Sequence, residues 1–264
     1  MGKNMLVISM AKWVFEDFAT ANDGSYIVHH DYGLGLPTLE PQKIDAIWTP
    51  AAHAARLFHA GFLLPLESTG YNWLDSVDSK YTQRDIVTTD VSTAIPGEGF
   101  WKLAEAKHEA FEAGWRSEQE SREFLTSLPA DAHVQYSNRY LDIKQEQRYF
   151  ISPQGIQGCI YKEGDWIYYS DLQTRPVTQD DLDFVSAFIR DRKETTTSWV
   201  LDVAVLQDGS RAILESNPVW SSGIYSIDPI FVMDAISASM QDPKKLWQPD
   251  ALLQQMAKRK HLLS

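Results

Sequence analysis

The feature that most constrains the fold is a hairpin predicted near the end of the chain. Residues 198–217 read SWVLDVAVLQDGSRAILESN, in which two apolar runs flank an Asp-Gly sequence typical of hairpin turns. That turn places Asp202 directly opposite Glu215 on the next strand. Because side chains alternate between the two faces of a strand, Asn217 lies on the same face as both acids. The hairpin therefore gathers three oxygen-bearing side chains in an otherwise apolar setting.

Two opposed carboxylates repel each other, so the patch needs a further partner. A proton on one acid, or a cation between the two, would relieve the repulsion. Asp, Glu and Asn supply the oxygen ligands that Mg²⁺ and Mn²⁺ prefer, and Mg²⁺ usually combines a few carboxylates with substrate phosphates. The patch therefore predicts a divalent cation that is held by Asp202, Glu215 and Asn217 and shared with a phosphorylated ligand.

Two alternatives to this cation site stay open at the level of the sequence. The face could be solvated, with each acid paired to a Lys or Arg from elsewhere in the chain. The register could also differ from the one assumed. A four-residue turn from Gln207 to Ser210 keeps Asp202 opposite Glu215, whereas a one-residue bulge would move Asp202 away from the other two side chains.

The first 80 residues read as a small α/β domain. Short apolar stretches predict three buried strands, at residues 5–10, 25–30 and 44–48. A helix follows the third strand, with Thr49 as its N-cap, Pro50 in its first position and Gly61 as its C-cap. Strands that alternate with a helix in this way are typical of a small α/β unit.

The rest of the chain reads as antiparallel hairpins and helices. Residues 140–151 and 156–162 would pair around a Ser-Pro-Gln-Gly turn, which places Cys159 opposite Arg148. A possible capping box joins Ser117 to Glu120. Capping residues and charge order predict helices at residues 117–128, 178–193 and 228–240 and a C-terminal helix within 246–264.

Composition limits the partners and the compartment. The chain has 264 residues and a formal net charge of −12, which disfavours nucleic acid and anionic membranes as partners of the whole surface. Its one cysteine cannot form an internal disulfide, as is typical of the reducing cytosol. The N-terminal stretch MGKNMLVISMAKWVF lacks signal-peptide features, and no apolar run reaches the roughly 18 residues of a membrane helix. A cytoplasmic protein is therefore expected, and a homodimer is left open.

The order of the motifs resembles the ATP-grasp superfamily, most of all a compact clade of bacterial and phage type. A strand with Asp, a turn and a strand with Glu-x-Asn-Pro are similar to the metal-binding end of that fold. KYTQRDIV with Arg84, GFWKLAEAK with Lys102, and LDIKQEQRYFI with Glu146 and Arg148 stand in the order that the family uses. The resemblance covers roughly residues 81–236.

The resemblance implies an α+β fold in which two lobes with antiparallel sheets hold ATP between them. A small α/β domain at residues 1–80 would precede this ATP-grasp domain. The domain itself would span residues 81–245, with a smaller lobe at about 84–136 and a larger lobe at about 137–245. A C-terminal helix at 246–264 would follow it.

The resemblance also implies roles for individual residues. Two basic residues would bind the α- and β-phosphates, namely Arg84 and Lys102. Asp142 is the candidate for the ribose, and Glu146 belongs to the same cofactor site. The hinge that holds adenine would be VQYS, with Gln135, Tyr136 and Ser137. The ligands of Mg²⁺ or Mn²⁺ would be Asp202, Glu215 and Asn217.

Two further roles concern the chemistry. Arg148 would stabilise the γ-phosphate or an acyl phosphate, so that Arg148 and Lys102 form the catalytic pair. The backbone at Ser221, Ser222 and Gly223 would offer N–H groups to the substrate carboxylate. Each assignment has a plainer alternative. Lys102 could be solvated, Glu146 and Arg148 could form a surface pair, and the Ser-Ser-Gly sequence could be only a turn.

The activity implied by the resemblance is ATP-dependent ligation of a carboxylate to an amine. ATP would convert the carboxylate to an acyl phosphate, the amine would displace phosphate, and ADP and phosphate would be released. The substrates would be small-molecule or peptide carboxylates and amines. Two alternatives stay open: a phosphotransferase with the same nucleotide site, and a non-catalytic Mg·ATP-binding protein. The second is suggested by the single glycine, Gly114, in the stretch after Lys102.

Overall fold

The computed structural model of the chain describes residues 2–32, 35–104, 111–168, 175–242, 244, 246–249 and 252–254. Within these residues the strands form one parallel sheet and two antiparallel sheets. Each helix of this described part is too short or too polar to cross a membrane. The predicted C-terminal helix at 246–264 and the stretch after Lys102 fall largely outside the described residues.

A three-stranded parallel sheet forms the N-terminal unit, in the order β2-β1-β3. Its strands are β1 (Lys3–Ile8), β2 (Tyr26–Asp31) and β3 (Ala46–Trp48). The helices of this unit are α1 (Lys12–Ala21) and α2 (Ala51–His59). The three predicted strands are present, with boundaries that shift by up to two residues.

Two details of the N-terminal unit differ from the prediction. Helix α1 joins β1 to β2 and is not predicted, because no side chain caps its start and only Val14 and Phe18 mark its buried face. The prediction of Thr49 as the N-cap of α2 is wrong. The helix begins at Ala51 without a side-chain cap, and the hydroxyl of Thr49 is buried without a hydrogen-bond partner among the described residues.

A four-stranded antiparallel sheet follows, in the order β4-β7-β5-β6. A one-turn helix α3 (Ser79–Thr82) precedes it, and α4 (Glu118–Thr126) joins its last two strands. The strands are β4 (Ile86–Asp90), β5 (Gly99–Leu103), β6 (Gly114–Arg116) and β7 (His133–Ser137). Ser117 and Glu120 form the predicted capping box, which fixes the start of α4.

The largest sheet has five antiparallel strands in the order β10-β9-β8-β11-β12. They are β8 (Ile143–Ser152), β9 (Gly155–Glu163), β10 (Trp166–Ile167), β11 (Trp199–Leu206) and β12 (Arg211–Asn217). The helices are α5 (Gln179–Arg192) and α6 (Pro229–Ser239). Arg148 pairs with Cys159 as predicted. The side chain of Asp228 accepts the N–H of Ile230 and caps α6 as predicted.

Helix α6 joins the N-terminal unit to the largest sheet. Its buried residues belong to one hydrophobic cluster with β1, β3 and the underside of β8 and β11, where Phe150 and Val200 are fully buried. Two polar contacts add to this packing: the hydroxyl of Tyr26 donates to Asp234 at 2.8 Å, and Lys3 Nζ donates to Ser237 Oγ at 3.2 Å. The parallel sheet therefore shares a core with the sheet that carries the predicted cation ligands.

Glu194 anchors the segment before β4 to the largest sheet. Trp73 packs in the hydrophobic cluster of Phe188 and Trp199, and its indole N–H donates to Glu194 at 2.7 Å. Burial opposes ionisation of this acid. Hydrogen bonds from Trp73, Arg192 and backbone N–H groups outweigh burial and lower the pKa of Glu194 to about 2.

This anchor predicts a pH-dependent contribution to stability. At pH 7, Glu194→Gln should lower the free energy of unfolding by about 2 kcal/mol, because buried charge-assisted hydrogen bonds are lost. The pKa of Glu194 is lower in the folded protein than its ordinary value of 4.5. The stabilisation is therefore complete above about pH 4.5 and is lost as the pH falls towards 2.

Urea unfolding of the wild type and the variant between pH 7 and pH 3 measures this difference. The gap between the two proteins should narrow below pH 4.5. Glu16→Gln is a suitable control, because Glu16 pairs with Lys12 on an exposed surface and should change stability by less than about 0.5 kcal/mol. A gap that stays constant across this pH range would contradict the prediction.

Candidate active site

One cleft of about 1680 Å³ is lined by all three sheets and the loops between them. The residues that the sequence predicts for a site all lie on its walls: Arg84, Lys102, Gln135, Tyr136, Ser137, Asp142, Glu146, Arg148, Asp202, Glu215, Asn217, Ser221, Ser222 and Gly223. The fold thus brings side chains from β5, β7, β8, β11 and β12 to one place. Their individual contacts separate those that face a ligand from those that support the walls.

The hairpin that carries the acids has an irregular register. The N–H of Leu206 donates to the carbonyl of Ser210 at 2.8 Å, so the loop has three residues and the predicted two- or four-residue turn is wrong. Gly209 provides the left-handed conformation that such a loop requires, with φ of +83°. On its own, this loop would shift the whole pairing by one residue.

A β-bulge corrects the shift. Val203 pairs with Ile213, whereas the next pair is Asp202 with Glu215, so that Leu214 is the extra residue of β12. The predicted pairing of Asp202 with Glu215 is therefore confirmed, although the turn and the bulge each differ from the regular hairpin. The bulge does not separate the acids, because it compensates for the longer loop.

Arg84 supports this bulge. Its guanidinium donates to the carbonyls of Ile213 at 3.2 Å and Leu214 at 3.4 Å, and to that of Thr82 at 3.1 Å. Burial lowers the pKa of Arg84 to about 10, against the opposing effect of the Glu215 carboxylate. The side chain thus satisfies backbone groups that the bulge withdraws from regular pairing, in addition to lining the cleft.

Arg148 and Asp202 form a buried bidentate ion pair. Nε and Nη2 of Arg148 lie 2.8 and 2.6 Å from the two carboxylate oxygens of Asp202, and both side chains are less than a tenth exposed. The residues face each other on β8 and β11. Burial opposes the charge of Arg148, but the neighbouring carboxylate prevails and raises the pKa of the guanidinium.

Lys102 reaches the same patch from the four-stranded sheet. Its Nζ lies 2.7 Å from Glu215, and both side chains are about a fifth exposed. The amide of Asn217 donates to Asp202 at 3.2 Å and to Glu215 at 3.1 Å. The three predicted cation ligands are therefore in mutual contact, and each acid also has a basic partner, as one alternative from the sequence supposed.

Glu146 has a different surrounding from that expected of a nucleotide ligand. Its two carboxylate oxygens accept hydrogen bonds from Tyr161 and Lys162, each at 2.6 Å. A bulge between the pairs of Glu146 and Gln147 brings both β9 residues to the same acid. The sequence gives no sign of this contact, because a regular strand would point Tyr161 and Lys162 to opposite faces.

The predicted hinge is β7 and the loop after it. Gln135 is buried and its amide donates to the hydroxyl of Thr88 at 3.3 Å, while the hydroxyl of Tyr136 donates to the carbonyl of Glu98 at 3.0 Å. The hydroxyl of Ser137 donates to the carbonyl of Arg139. Asp142, the candidate for the ribose, is exposed at the start of β8.

The loop after β12 presents carbonyl groups to its neighbours. The carbonyl of Ser222 accepts from the indole of Trp48 at 2.8 Å, and that of Gly223 accepts from Arg148 at 3.2 Å. The N–H of Ser221 donates to the carbonyl of Pro218 at 3.2 Å within a short 3₁₀ helix. The expected role of this loop as a source of N–H donors is thus not visible at Ser221.

The chemistry of the donor set fits a magnesium site in part. Two carboxylates and an amide in contact are the kind of ligands that Mg²⁺ uses alongside phosphate. The described residues contain no group of three or more His, Cys, Asp or Glu side chains placed for a metal, so the amide of Asn217 would have to contribute. Both oxygens of Asp202 already accept from Arg148, which leaves Glu215 and Asn217 as the more accessible donors.

Comparison with known proteins agrees with this architecture. A family model described as an ATP-grasp domain, family 2 of its clade, matches residues 81–235. No curated protein sequence gives a significant match.

Solved structures show the same fold at low sequence identity. N5-carboxyaminoimidazole synthetase from Staphylococcus aureus matches with a TM-score of 0.56 and 12% identity, covering 94% of this chain and 79% of its own. D-cycloserine synthetase DcsG matches with a TM-score of 0.53 and 13% identity, over 90% and 100%. D-alanine–D-alanine ligase from Bacillus anthracis matches with a TM-score of 0.51 and 11% identity, over 89% and 97%.

The contacts of Arg84 predict a loss of stability that needs no ligand. Arg84→Met keeps the length of the side chain but removes the donors to Ile213 and Leu214. The free energy of unfolding should fall by about 1–3 kcal/mol, because buried carbonyls lose their partners. Denaturant unfolding without nucleotide measures this change.

Arg139→Met is the matched control for this variant. Arg139 also lines the cleft and donates to a backbone carbonyl, that of Gln83, but it is exposed. Its replacement should change stability by less than about 0.5 kcal/mol. Equal stability of Arg84→Met and the wild type would show that the bulge does not depend on Arg84.

Proposed function

Because the chain belongs to the ATP-grasp family, we propose that it is an ATP- and Mg²⁺-dependent ligase that joins a carboxylate to an amine. The contact group of Lys102, Glu215, Asn217, Asp202 and Arg148 carries this proposal. It combines two cations with oxygen donors at the meeting point of two antiparallel sheets. A phosphoryl-transfer site needs this combination.

The nucleotide phosphates would replace protein partners in the patch. Lys102 is partly exposed and belongs to β5, whereas its partner Glu215 belongs to β12 on the facing sheet. The ammonium group could therefore turn from Glu215 to a phosphate oxygen without loss of a charge partner. Arg84 would contribute positive potential near Glu215 rather than a second flexible arm, because its donors already bind carbonyls.

A divalent cation would be held by Glu215 and Asn217, with Asp202 adding negative charge at 3.2 Å from the Asn217 amide. When bound, Mg²⁺ would neutralise charge on the β- and γ-phosphate oxygens. Release of Lys102 from Glu215 would free that carboxylate for the metal. The Lys102–Glu215 contact would thus be exchanged for contacts of each side chain with the bound Mg·nucleotide.

The acyl phosphate would form beside Arg148. The substrate carboxylate attacks the γ-phosphorus, ADP leaves, and the amine then displaces phosphate from the acyl carbon. Arg148 is held firmly by Asp202 and would stabilise the phosphate oxygens with its planar donor fork. Substrates would approach from the N-terminal unit, which contributes Trp48, Ala51 and Tyr71 to the cleft next to Ser222 and Gly223.

Nucleotide binding should depend on the divalent cation. Mg·ADP should raise the melting temperature more than ADP with EDTA, because the metal adds contacts through Glu215. Glu215→Gln should remove most of this difference. The measurement is differential scanning fluorimetry of both proteins in both conditions. Glu118→Gln, on the exposed surface of α4, should behave as the wild type, whereas equal shifts with Mg²⁺ and EDTA would refute the cation site.

A mass-spectrometric screen tests the reaction itself. The protein is incubated with Mg·ATP and a panel of amino acids and small peptides, and the products are examined for ADP and a mass gain from condensation. We expect ADP only when an acid and an amine are both present. A stable phosphorylated product without an amide would indicate a phosphotransferase, and binding without ADP would indicate a non-catalytic protein.

Lys102→Ala provides the matched inactive variant for the screen. Loss of this cation should lower ADP formation by about 100-fold or more, the usual cost of a preorganised charge in a transition state. Lys102 is partly exposed, so the fold should tolerate the change. Asp202→Asn is less informative, because it also breaks a buried ion pair and should destabilise the protein.

A further inference from the structure

Two tyrosines contact the guanidinium of Arg148, and the proposed chemistry does not use either of them. The ring centroids of Tyr161 and Tyr225 are 4.8 Å apart and the rings are nearly parallel, at 14°. The Cζ atom of Arg148 lies 5.2 Å from the first centroid and 5.1 Å from the second. The three groups form a compact triangle on the wall of the cleft.

Tyr225 adopts a backbone conformation that tyrosine rarely takes. Its φ is +48°, in the left-handed region where a Cβ is unfavourable. Residues with a side chain persist there only when their surroundings hold them, and such residues are common at functional sites. Gly223 allows the close approach, since a Cβ at this position would lie 3.4 Å from the Tyr225 ring and 3.5 Å from Arg148 Nη1.

Tyr161 is fixed by a polar chain of its own. Its hydroxyl donates to Glu146 at 2.6 Å, and Lys162 donates to the other carboxylate oxygen at 2.6 Å. The hydroxyl therefore holds the ring in one orientation beside Arg148. This contact gives Glu146 a role that differs from nucleotide binding.

Three of the five N–H groups of Arg148 are used by the protein. Two donate to Asp202 and one Nη1–H donates to the carbonyl of Gly223. One N–H on Nη1 and one on Nη2 have no acceptor in the described part of the chain. These two groups are the ones that an anion in the cleft could accept from.

We propose that Tyr161 and Tyr225 are positioning residues that hold the guanidinium of Arg148 with its two remaining N–H groups directed at a phosphate in the cleft. The two rings attract the cation through their faces and exclude water from it. The ion pair with Asp202 fixes one edge of the guanidinium, and the rings fix its plane. The direction towards a phosphate rests on the proposed function, whereas the restraint of Arg148 does not.

Four variants separate the ring from the rest of the protein. Tyr161→Leu and Tyr225→Asn remove one ring each, and asparagine suits the left-handed backbone at residue 225. Tyr225→Phe keeps the ring and loses only the hydroxyl. Tyr168→Leu is the matched control, because Tyr168 lies outside the cleft lining yet contacts an arginine, Arg175, at 4.4 Å.

The first measurement uses the protein without nucleotide. Hydrogen exchange of the Arg148 Nε–H is followed by ¹⁵N NMR, with the signal identified by its absence in Arg148→Lys. Tyr161→Leu and Tyr225→Asn should each speed this exchange about tenfold, a factor that corresponds to about 1.4 kcal/mol. Tyr225→Phe should stay within about threefold of the wild type, and Tyr168→Leu should not change the rate.

The second measurement compares two nucleotides by calorimetry with Mg²⁺ present: ADP and the β,γ-imido analogue of ATP. Tyr161→Leu and Tyr225→Asn should lower the preference for the analogue about tenfold while the affinity for ADP changes by less than about twofold. A general loss of folding would weaken both ligands together. Tyr225→Phe should recover most of the preference.

The outcomes distinguish the two proposals. Faster exchange together with a reduced preference supports the positioning role in full. Unchanged exchange in both ring-deletion variants overturns it, whatever the nucleotide affinities are. A wild type that binds neither nucleotide refutes the proposed function, and faster exchange in that case still supports the restraint of Arg148 by the two rings.

Discussion

The ion pair of Arg148 and Asp202 is the interaction on which the rest of the cleft depends. Both charges are removed from water, and such a pair is costly unless its geometry is good and its remaining donors are used. Here two parallel hydrogen bonds, the Gly223 carbonyl and the Asn217 amide meet these needs. The pair also joins β8 to β11, the two central strands of the largest sheet.

The pair lies in one row that crosses four strands. Cys159 on β9, Arg148 on β8, Asp202 on β11 and Glu215 on β12 face one another in register. Lys102 meets the end of this row from the other sheet. Charge therefore alternates across the row, which explains how two opposed acids coexist before any cation binds. A ligand that enters the cleft meets an arrangement that is already neutral.

The ATP-grasp fold and the row of acids can be predicted from the sequence because both follow from strand periodicity and motif order. The pairing of Asp202 with Glu215 is correct although the turn prediction is wrong, since loop length and bulge cancel. Such cancellation leaves no local signal, because Leu214 resembles any other apolar strand residue. The role of Glu146 escapes prediction for a similar reason: a bulge in the neighbouring strand pair, not its own motif, decides which side chains reach it.

The bulge at Leu214 has a consequence for how this hairpin can be altered or transferred. Its geometry depends on Arg84, a residue more than a hundred positions earlier in the chain, and on a loop one residue longer than the regular turn. A hairpin grafted into another scaffold without that arginine would lack the support for its irregular pairing. Shortening the loop by one residue would remove the reason for the bulge and return Leu214 to a regular pair. The row of charges is thus encoded jointly by distant segments, and it cannot be moved as a self-contained module.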